Sequence, residues 1–402
     1  MPAPPDATSP PNPVLRTLRK LRRASLRKAS RAFRTFPIAK RTILFESHRG
    51  LSCSGNPRAI CEEILRRELP VTCVWSVRDM ALELPAGAIP VRRFSLRYYY
   101  YLFCAQILVQ NGEFSPTRPI RRGQTYINTQ HGTPLKLMGT DLSHKSPNVY
   151  SDSYGKTTRW TYLVSPNRYS TEIFRRVYRY DGPVLEVGYP RNDLFFTRNS
   201  PDEVARLKKR WGLPLNKKVI LYAPTWRDIG TSRVDRDFQL QLDLAELRRR
   251  LGNEYVVVLR LHHLISSHLE LTDADAGFAF NCSSAQYDAQ ELMLAADVLV
   301  TDYSSMMFDF ANLRRPMIFF AYDFDEYSTS IRGTYFDLRA EGPGPVVHTM
   351  PELLRAIEGI SRWLPEYAER ERTFRDKFCA TESGNASRTV VEQLILPILE
   401  DS

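Results

Sequence analysis

The chain has 402 residues and a hydrophobic fraction of 43%, which is enough to bury two substantial cores and predicts two or three domains. Its formal net charge of +11 lies almost entirely in residues 1–41, which hold eleven Lys or Arg and one Asp, so a nucleic-acid channel through the nearly neutral remainder is not expected. The six cysteines have no C-x-x-C spacing, which argues against a zinc site and against a disulfide framework.

The basic N-terminal segment, residues 1–41, has the pattern of an amphipathic helix. Its apolar residues fall on one arc of a helical wheel and most of its cations lie outside that arc, which suits an anionic membrane surface. A disordered basic arm and an organelle transit peptide are the alternatives. Because no run of about 18 apolar residues occurs, we expect neither a transmembrane helix nor a secretory signal peptide. The arc consists of Val14, Leu15, Leu18, Leu21, Leu26, Ala29, Ala32, Phe33 and Phe36.

From residue 42 onwards, short apolar runs alternate with helical patterns. This rhythm is typical of a parallel sheet with crossover helices. The predicted helices lie near 57–68, 95–104 and 169–180. The predicted strands are 42–46, 71–77, 107–110, 126–129, 162–164 and 184–187.

A second series of the same kind follows the segment 188–193. Ser200 stands before Pro201 and two acidic residues, which is a strong signal for a helix start. The next predicted strands are 219–222, 255–259, 298–300 and 317–320. We therefore predict an α/β protein with two doubly wound, Rossmann-like domains that face each other across a cleft. The predicted divisions are the basic segment 1–41, an N-terminal domain 42–190 and a C-terminal domain 191–402.

The first polar cluster at a strand end is Thr301-Asp302-Tyr303-Ser304-Ser305. It stands between a predicted strand and a predicted helix at 306–313. Unpaired N–H groups and the helix dipole favour an anion at such a position, and the two serines add further donors. The cluster therefore predicts a phosphate site. The alternative is an ordinary N-cap, for which Ser and Asp are preferred in any protein.

A second cluster, from Gln130 to Lys136, follows the predicted strand 126–129. His131 precedes Gly132 and Thr133 on a predicted tight turn, so its ring should be displayed at the end of the strand. A histidine there can take a proton from an attacking hydroxyl near neutral pH. The alternative is a histidine that only hydrogen-bonds the turn.

A third cluster follows the predicted strand 255–259. Arg260 and His262 stand two residues apart, so their side chains point to the same face and can converge on one phosphate, while His263 faces away. The alternative is a pair that only closes the strand end.

Two further loops carry polar residues toward the predicted cleft. Trp226 is a candidate to line a base or glycerol pocket and Arg227 to meet an anion, although a proline-containing turn with Trp226 in the core is the alternative. Asp323 and Asp325 are the one candidate pair for a divalent metal, against the alternative of two solvated loop acids. Since there is no Walker A pattern, the simplest account is a diphosphate neutralised by side chains and a helix dipole, with no cofactor required.

At these residues the sequence resembles the CDP-glycerol glycerophosphotransferase family, the teichoic acid primases and polymerases. The resemblance covers roughly residues 42–395. It implies a GT-B fold, a membrane-associated enzyme on the cytosolic side, and transfer of a polyol phosphate from a CDP-activated donor to a lipid-linked acceptor with release of CMP. The matching motifs are Phe45-Glu46-Ser47, Asn56-Pro57, residues 130–136, Ser165-Pro166-Asn167, residues 188–193, residues 222–227, Arg260-Leu261-His262, residues 301–305, residues 309–312, Arg332-Gly333 and residues 342–345.

The resemblance also implies a base role for His131 and a donor-phosphate role for His262. The chain departs from the family at Gln130, where the family commonly has Trp, and at His263, where it often has Pro or Tyr. We predict acceptor-side positions at Gly132, Thr133 and Lys136. The predicted donor-binding residues are Trp226, Arg227, Arg260, Thr301, Asp302, Ser304 and Ser305.

The predicted function is that of a peripheral enzyme on the cytoplasmic face of the membrane. It would move glycerol phosphate from CDP-glycerol to a lipid-linked or polymeric acceptor in the synthesis of a teichoic-acid-like or capsule-like polymer. A nucleotide-sugar glycosyltransferase on the same fold is the first alternative, because a fold does not determine a chemistry. A catalytically silent surface-binding protein is the second. Glycerol and ribitol donors both fit the motifs, as do primase and polymerase activities.

Overall fold

The structure is a computed structural model that describes residues 30–112, 120–142, 160–225, 240–261, 271–323 and 333–400. These residues form two α/β units, each built on a fully parallel sheet. The predicted architecture of two doubly wound domains is therefore confirmed.

The first sheet has seven strands in the order β3-β2-β1-β4-β5-β6-β7. The strands are β1 (Ala39–Glu46), β2 (Thr72–Val77), β3 (Ile89–Arg92), β4 (Ala105–Gln110), β5 (Thr125–Asn128), β6 (Tyr162–Ser165) and β7 (Val184–Glu186). The longer helices that connect them are α1 (Gly55–Arg66), α2 (Leu96–Cys104) and α3 (Arg168–Tyr178). The order reverses between β1 and β4, which is the position where open α/β sheets bind ligands.

Both faces of this sheet are covered, as its nearly continuous apolar strands require. In β1, Ile43 and Phe45 pack into one core cluster and Leu44 into the other. The same alternation occurs in β4, where Ile107 and Leu108 belong to opposite clusters. Strand residues alternate between the two faces because the side-chain period of a strand is two.

The second sheet has six strands in the order β10-β9-β8-β11-β12-β13. They are β8 (Lys218–Ala223), β9 (Tyr255–Leu259), β10 (Ala279–Asn281), β11 (Val298–Thr301), β12 (Met317–Phe320) and β13 (Val346–Val347). The helices that follow β7 are α4 (Leu194–Thr197), α5 (Pro201–Arg210), α6 (Leu244–Leu251), α7 (Ala289–Ala295), α8 (Met306–Phe310), α9 (Leu338–Glu341), α10 (Met350–Glu358), α11 (Ile360–Trp363), α12 (Ala368–Phe378), α13 (Ala386–Val390) and α14 (Leu396–Glu400).

The last helices cross back to the first sheet. Val390 and Ile395, from α13 and the π-helical turn that follows it, pack against Ile43 and Trp75 in one core cluster. The start of α13 is held by the carboxylate of Asp193, which accepts hydrogen bonds from the backbone amides of Ala386 and Ser387 at 2.9 and 2.8 Å. Residues 386–400 therefore contact the first unit, although they follow the second unit in the sequence.

Within the predicted basic helix, only the part from residue 30 onwards is described. Ser30–Thr35 form a short 3₁₀ helix, and the Phe33 ring packs edge-on against Tyr100 with centroids 5.9 Å apart. The Arg121 guanidinium donates to the carbonyl oxygen of Phe36 at 2.7 Å. The aromatic end of the predicted apolar arc thus lies against the protein. In the described ranges, no helix has the length and hydrophobicity needed to cross a bilayer.

Candidate active site

Two predicted clusters meet between the units: the loop after β5 and the hydroxyl cluster after β11. A Cβ atom built on Gly132 would lie 2.8 Å from Ser305 Oγ, so any larger residue here would have to displace the Ser305 hydroxyl. The contact brings His131 and its loop beside the start of α8. Two strand ends that are far apart in the sequence thus form one site, as expected for the carboxyl edges of parallel sheets.

The chain bends at His131 and Gly132, where the tight turn was predicted, and the backbone before this bend explains how the ring leaves the sheet. Gln130 is buried and has a φ of 49°, in the left-handed region that residues other than glycine seldom adopt. Its amide donates to Asn128 Oδ1 at 2.9 Å. The buried side chain of Asn56 donates to the carbonyl oxygens of Thr129 and Gln130 at 2.9 and 3.1 Å. These bonds hold the bend that presents His131.

The His131 ring is in the protonation state that a general base needs. Its Nδ1 lies 2.9 Å from the carbonyl oxygen of Asn111. Because a carbonyl only accepts, Nδ1 carries the proton and Nε2 keeps its lone pair. His131 stays partly exposed, but nearby protein displaces bulk water from around its ring, and this desolvation lowers the pKa of His131. The bond to Asn111 opposes the shift and the charge of Arg191 adds to it.

Arg191 joins the His131 loop to α8. Its guanidinium donates to the carbonyl oxygen of His131 through Nη1 and to the carboxylate of Asp309 through Nη2, both at 2.6 Å. The side chains of Arg191 and Asp309 are only 9% and 6% exposed. Asn192 donates to the other carboxylate oxygen of Asp309 at 3.1 Å. The ion pair is buried and hydrogen-bonded, as such pairs must be.

Glu382 is a second buried carboxyl group at the same junction. Its Oε1 accepts from Asn192 Nδ2 at 2.8 Å and from the Tyr189 amide at 3.1 Å. Its Oε2 lies 2.7 Å from the position of a Cβ on Gly188, whose φ is +85°. Burial raises the pKa of Glu382 to about 8, and the nearby Asp309 adds to the rise while the Asn192 and Tyr189 bonds oppose it. At neutral pH Glu382 therefore carries a proton.

On the predicted donor side, Thr301 and Asp302 are fully buried and brace the loop after β8. The Thr301 hydroxyl donates to the carbonyl oxygen of Ala223 at 2.6 Å, and Asp302 Oδ1 accepts from the Thr225 amide at 2.8 Å. Their side chains thus position the loop from inside the domain. Any contact of Thr301 or Asp302 with a donor stays a prediction.

The two serines of the cluster lie at the beginning of α8. The amide of Met306 donates to Ser304 Oγ at 3.3 Å, a local bond of the kind that the N-cap alternative describes. Ser305 occupies the N-cap position, but its side chain makes no capping bond. Donor binding by Ser304 and Ser305 stays a prediction.

Arg260 closes the end of its strand, as the alternative interpretation expected. Its Nη1 donates to the carbonyl oxygens of Cys282 and Ser284 at 2.9 and 3.0 Å, which ties β9 to the end of β10. Burial lowers the pKa of Arg260 and the charge of Asp288 opposes this. Its donor role stays a prediction. Three other predicted site residues, Trp226, Arg227 and His262, lie outside the described residues.

The loop that carries the predicted acceptor-side residues is hydrogen-bonded to the second unit. Thr133 is buried, and Lys136 forms an antiparallel bridge with Thr334. The amide of Leu137 donates to the carbonyl oxygen of Gly333 at 2.8 Å. Contacts of Gly132, Thr133 and Lys136 with an acceptor stay predictions.

The predicted metal pair was Asp323 and Asp325, and Asp325 lies outside the described residues. The described part of the chain contains no group of three His, Cys, Asp or Glu residues that could hold a metal ion.

Three residues at this site were not predicted from the sequence: His48, Asn111 and Arg191. The His48 ring lies 6.2 Å from the His131 ring, centroid to centroid, and Asn111 contacts both histidines. Asn111 directly follows β4 and His48 stands two residues after β1, so the strand-end rule that indicated His131 applies to them too. Arg191 lies in the motif 188–193 that supports the family resemblance, but its partners are distant in the sequence, so the motif did not indicate its contacts.

Known proteins are similar to this chain in both sequence and fold. A family model described as CDP-Glycerol:Poly(glycerophosphate) glycerophosphotransferase matches residues 28–396. The teichoic acid poly(glycerol phosphate) polymerase of Bacillus subtilis (strain 168) is 40% identical over 366 residues, which cover 88% of this chain and 48% of that protein. The teichoic acid glycerol-phosphate transferase of Staphylococcus aureus (strain NCTC 8325 / PS 47) is 36% identical over 392 residues, or 95% of this chain and 99% of that one. The chain thus spans about half the length of the first relative and nearly all of the second.

Among solved structures, the wall teichoic acid polymerase TagF matches with a TM-score of 0.86 and 35% identity over 96% of this chain and 97% of that chain. A variant of TagF with histidine replaced by asparagine, soaked with CDPG, matches with the same TM-score of 0.86.

The variant Glu382→Gln tests the proton on Glu382, since an amide imitates the protonated carboxyl group. The folded-state pKa of about 8 exceeds the ordinary value of 4.5, so the stability from this group is complete below pH 4.5 and is lost as the pH rises through 8. We expect the free energy of unfolding of the wild type to fall relative to the variant between about pH 5 and 8, by up to about 1.4 kcal/mol per pH unit. Urea unfolding at several pH values measures this.

The matched control is Glu392→Gln. Glu392 is exposed, and its ion pairs with Arg388 and Arg67 lower its pKa, so its protonation changes only at more acidic pH. The difference between this variant and the wild type should be flat from pH 5 to 8. A flat difference for Glu382→Gln as well would contradict the protonated state of Glu382.

Proposed function

The chain belongs to the CDP-glycerol:poly(glycerophosphate) glycerophosphotransferase family, and we propose from this that it transfers glycerol phosphate from CDP-glycerol to a membrane-linked polymer acceptor. Its enzyme class is therefore that of the CDP-glycerol glycerophosphotransferases of cell-wall polymer synthesis, with two Rossmann-like domains in a GT-B-like arrangement. The observation that supports the reaction best is the neutral His131, whose Nε2 keeps its lone pair while the next residue, Gly132, approaches Ser305 at the beginning of α8.

In the proposed reaction, a hydroxyl oxygen of the acceptor attacks the phosphorus that bears the glycerol. A new oxygen–phosphorus bond forms while the bond from that phosphorus to the CMP oxygen breaks, and CMP leaves with the electron pair. His131 Nε2 takes the proton of the attacking hydroxyl. The lowered pKa of His131 keeps the ring neutral at pH 7, ready to accept that proton.

Charge that builds on the departing CMP needs hydrogen-bond donors on the opposite side of the phosphorus. We assign this role to Ser304 and Ser305 at the start of α8, and to Arg260 and His262 after β9. Donors that are already in place stabilise a transition state more than the substrate, because they need no rearrangement during the reaction. Ser305 is suited to this because its side chain is not used as a helix cap.

The nucleotide product distinguishes this proposal from its main alternative. A phosphotransferase breaks the bond inside the diphosphate and releases CMP, whereas a glycosyltransferase releases a nucleoside diphosphate. We expect CMP from CDP-glycerol in the presence of a short oligo(glycerol phosphate), less CMP from CDP-ribitol, and no nucleoside diphosphate from nucleotide sugars. Chromatography of the nucleotides measures all three. Release of a nucleoside diphosphate, or no CMP from CDP-glycerol, would overturn the proposal.

The variant His131→Ala tests the general base. Turnover should fall by about 10² to 10⁴, with the affinity for CDP-glycerol nearly unchanged in calorimetry, because a base acts on the acceptor in the transition state. His348→Ala is the matched control, since the His348 Nδ1 also lies 2.8 Å from a backbone carbonyl oxygen, that of Ala321, at a strand end. This control should stay within about tenfold of the wild type. A His131 variant equally close to the wild type would refute the base role.

We further propose that residues 1–29 carry the enzyme to the cytoplasmic face of the membrane, where a lipid-linked acceptor must be met. The support is the basic charge of this end and its apolar arc. Each cation near an anionic surface contributes about 1 kcal/mol, and salt weakens the attraction. Residues 1–29 lie outside the described part of the chain, whereas Phe33 and Phe36 are described and pack against Tyr100.

Deleting residues 1–29 tests the membrane proposal without removing the packed aromatic residues. Sedimentation with vesicles of anionic phospholipid should be lost, and transfer to a lipid-linked acceptor should slow more than transfer to a short soluble one. CDP-glycerol binding should persist. Vesicle binding that survives the deletion would place the contact surface elsewhere, and an equal loss on both acceptors would show that the segment supports the enzyme body.

A further inference from the structure

We propose that Tyr335 is a positioning residue that fixes the loop of the general base, His131, to the second unit, which carries the proposed donor-binding serines. The proposal deepens the function above and rests on it. Tyr335 belongs to a backbone bridge between the units, formed by residues 135–137 of the first unit and 333–335 of the second. The bridge begins four residues after His131, so a displacement of the bridge would also displace the loop that bears the base.

The bridge consists of backbone hydrogen bonds between two antiparallel segments. The Tyr335 amide donates to the carbonyl oxygen of Leu135, and the Leu137 amide donates to that of Gly333, both at 2.8 Å. The residues between them form an antiparallel pair. Because backbone bonds of this kind keep two segments in one register, the bridge joins the loop of the base to the second unit at a defined place.

The bridge also exchanges side chains between the cores of the two units. Leu135 belongs to the first unit by sequence, but it is buried in the core cluster of the second unit that contains Phe308 and Phe336. In the opposite direction, Tyr335 packs against the core cluster of the first unit, which contains Phe174. Separating the units here would expose both side chains to water, at a cost in proportion to the apolar area exposed.

The hydroxyl of Tyr335 strengthens the bridge through two partners in the first unit. It donates to Asp141 Oδ2 at 2.7 Å and accepts from the amide of Met138 at 3.2 Å. A carboxylate oxygen only accepts and an amide N–H only donates, so both directions are determined. The Asp141 carboxylate is held in turn by the guanidinium of Arg176 on α3, at 2.8 Å. Tyr335 therefore connects the second unit both to the loop and, through Asp141, to α3.

The loop of the base is thus attached to the second unit on both sides of Gly132. Before Gly132, Arg191 donates to the carbonyl oxygen of His131 and to Asp309 on α8. After Gly132 comes the bridge. Ser305, at the beginning of α8, approaches Gly132 itself. Because both attachments lead to the unit of the proposed donor site, they hold the base at one distance from it, and a misplacement of about 1 Å can cost on the order of 10²-fold in rate.

The variant Tyr335→Phe removes the hydroxyl and keeps the ring and the backbone bridge. We expect kcat for CMP release from CDP-glycerol, with a short oligo(glycerol phosphate) as acceptor, to fall by about 5- to 30-fold, because the loop of the base loses a side-chain attachment. The affinity for CDP-glycerol in calorimetry should stay unchanged, since the proposed donor-binding serines are not altered.

A second measurement tests whether the hydroxyl acts through His131. In a His131→Ala background, Tyr335→Phe should change kcat by less than about twofold, because the group that it positions is absent. A merely structural defect would lower kcat by the same factor in both backgrounds. Asp141→Ala removes the partner of the hydroxyl from the first unit and should give the same pattern. The Arg176 side chain is 54% exposed, so this change leaves no buried charge.

Tyr180→Phe is the matched control, because the Tyr180 hydroxyl donates to the carbonyl oxygens of Pro183 and Thr161, at 2.9 and 3.2 Å, within the first unit. Urea unfolding identifies conditions in which both Phe variants are folded, and there only Tyr335→Phe should lower kcat. An unchanged kcat in Tyr335→Phe, an equal loss in the control, or an equal loss in the His131→Ala background overturns the inference and leaves the proposed function intact. A wild type that releases no CMP overturns both.

Discussion

The buried ion pair between Arg191 and Asp309 is the interaction on which the rest of the site depends. It links the carbonyl oxygen of His131 to the helix that follows the hydroxyl cluster, and so it joins the edges of two separate sheets. Removing one partner of such a pair typically costs about 3 to 5 kcal/mol, because the other charge remains buried without compensation. The distance between the proposed base and the start of α8 is therefore set by a rigid contact.

Among the described residues, the buried carboxyl groups of Asp309 and Glu382 both lie near Arg191, and Arg191 pairs with Asp309. Asp309 takes the ion pair, and Asn192 bridges from Asp309 to Glu382. Since a second buried anion would be unpaired, Glu382 holds a proton at neutral pH. The neutral state of His131 is likewise favoured by the loss of bulk water around its ring and by the positive charge of Arg191. The site thus keeps one base neutral beside a cation that never loses its charge.

The switch in strand order explains why so many polar groups meet at this edge. β1, β4 and β5 are neighbours, and His48, Asn111 and His131 follow their carboxyl ends. Buried bonds from Asn56 and Asn111 then fix the loops, which would otherwise be mobile because short polar turns have little apolar area to bury. One asparagine, Asn111, contacts both His48 and His131 at this edge.

The sequence by itself determined the two parallel-sheet domains, most of their longer strands and the turn at His131, because the alternation of apolar residues and the residues of a tight turn are local signals. Only the tertiary structure decided the two- to four-residue strands β3, β10 and β13, the return of the last helices to the first sheet, and the use of Thr301, Asp302 and Arg260 as braces. It also revealed Arg191, whose partners stand 60 and 118 positions away. Such contacts depend on how the two sheets are positioned relative to each other, and a local sequence pattern does not determine that position.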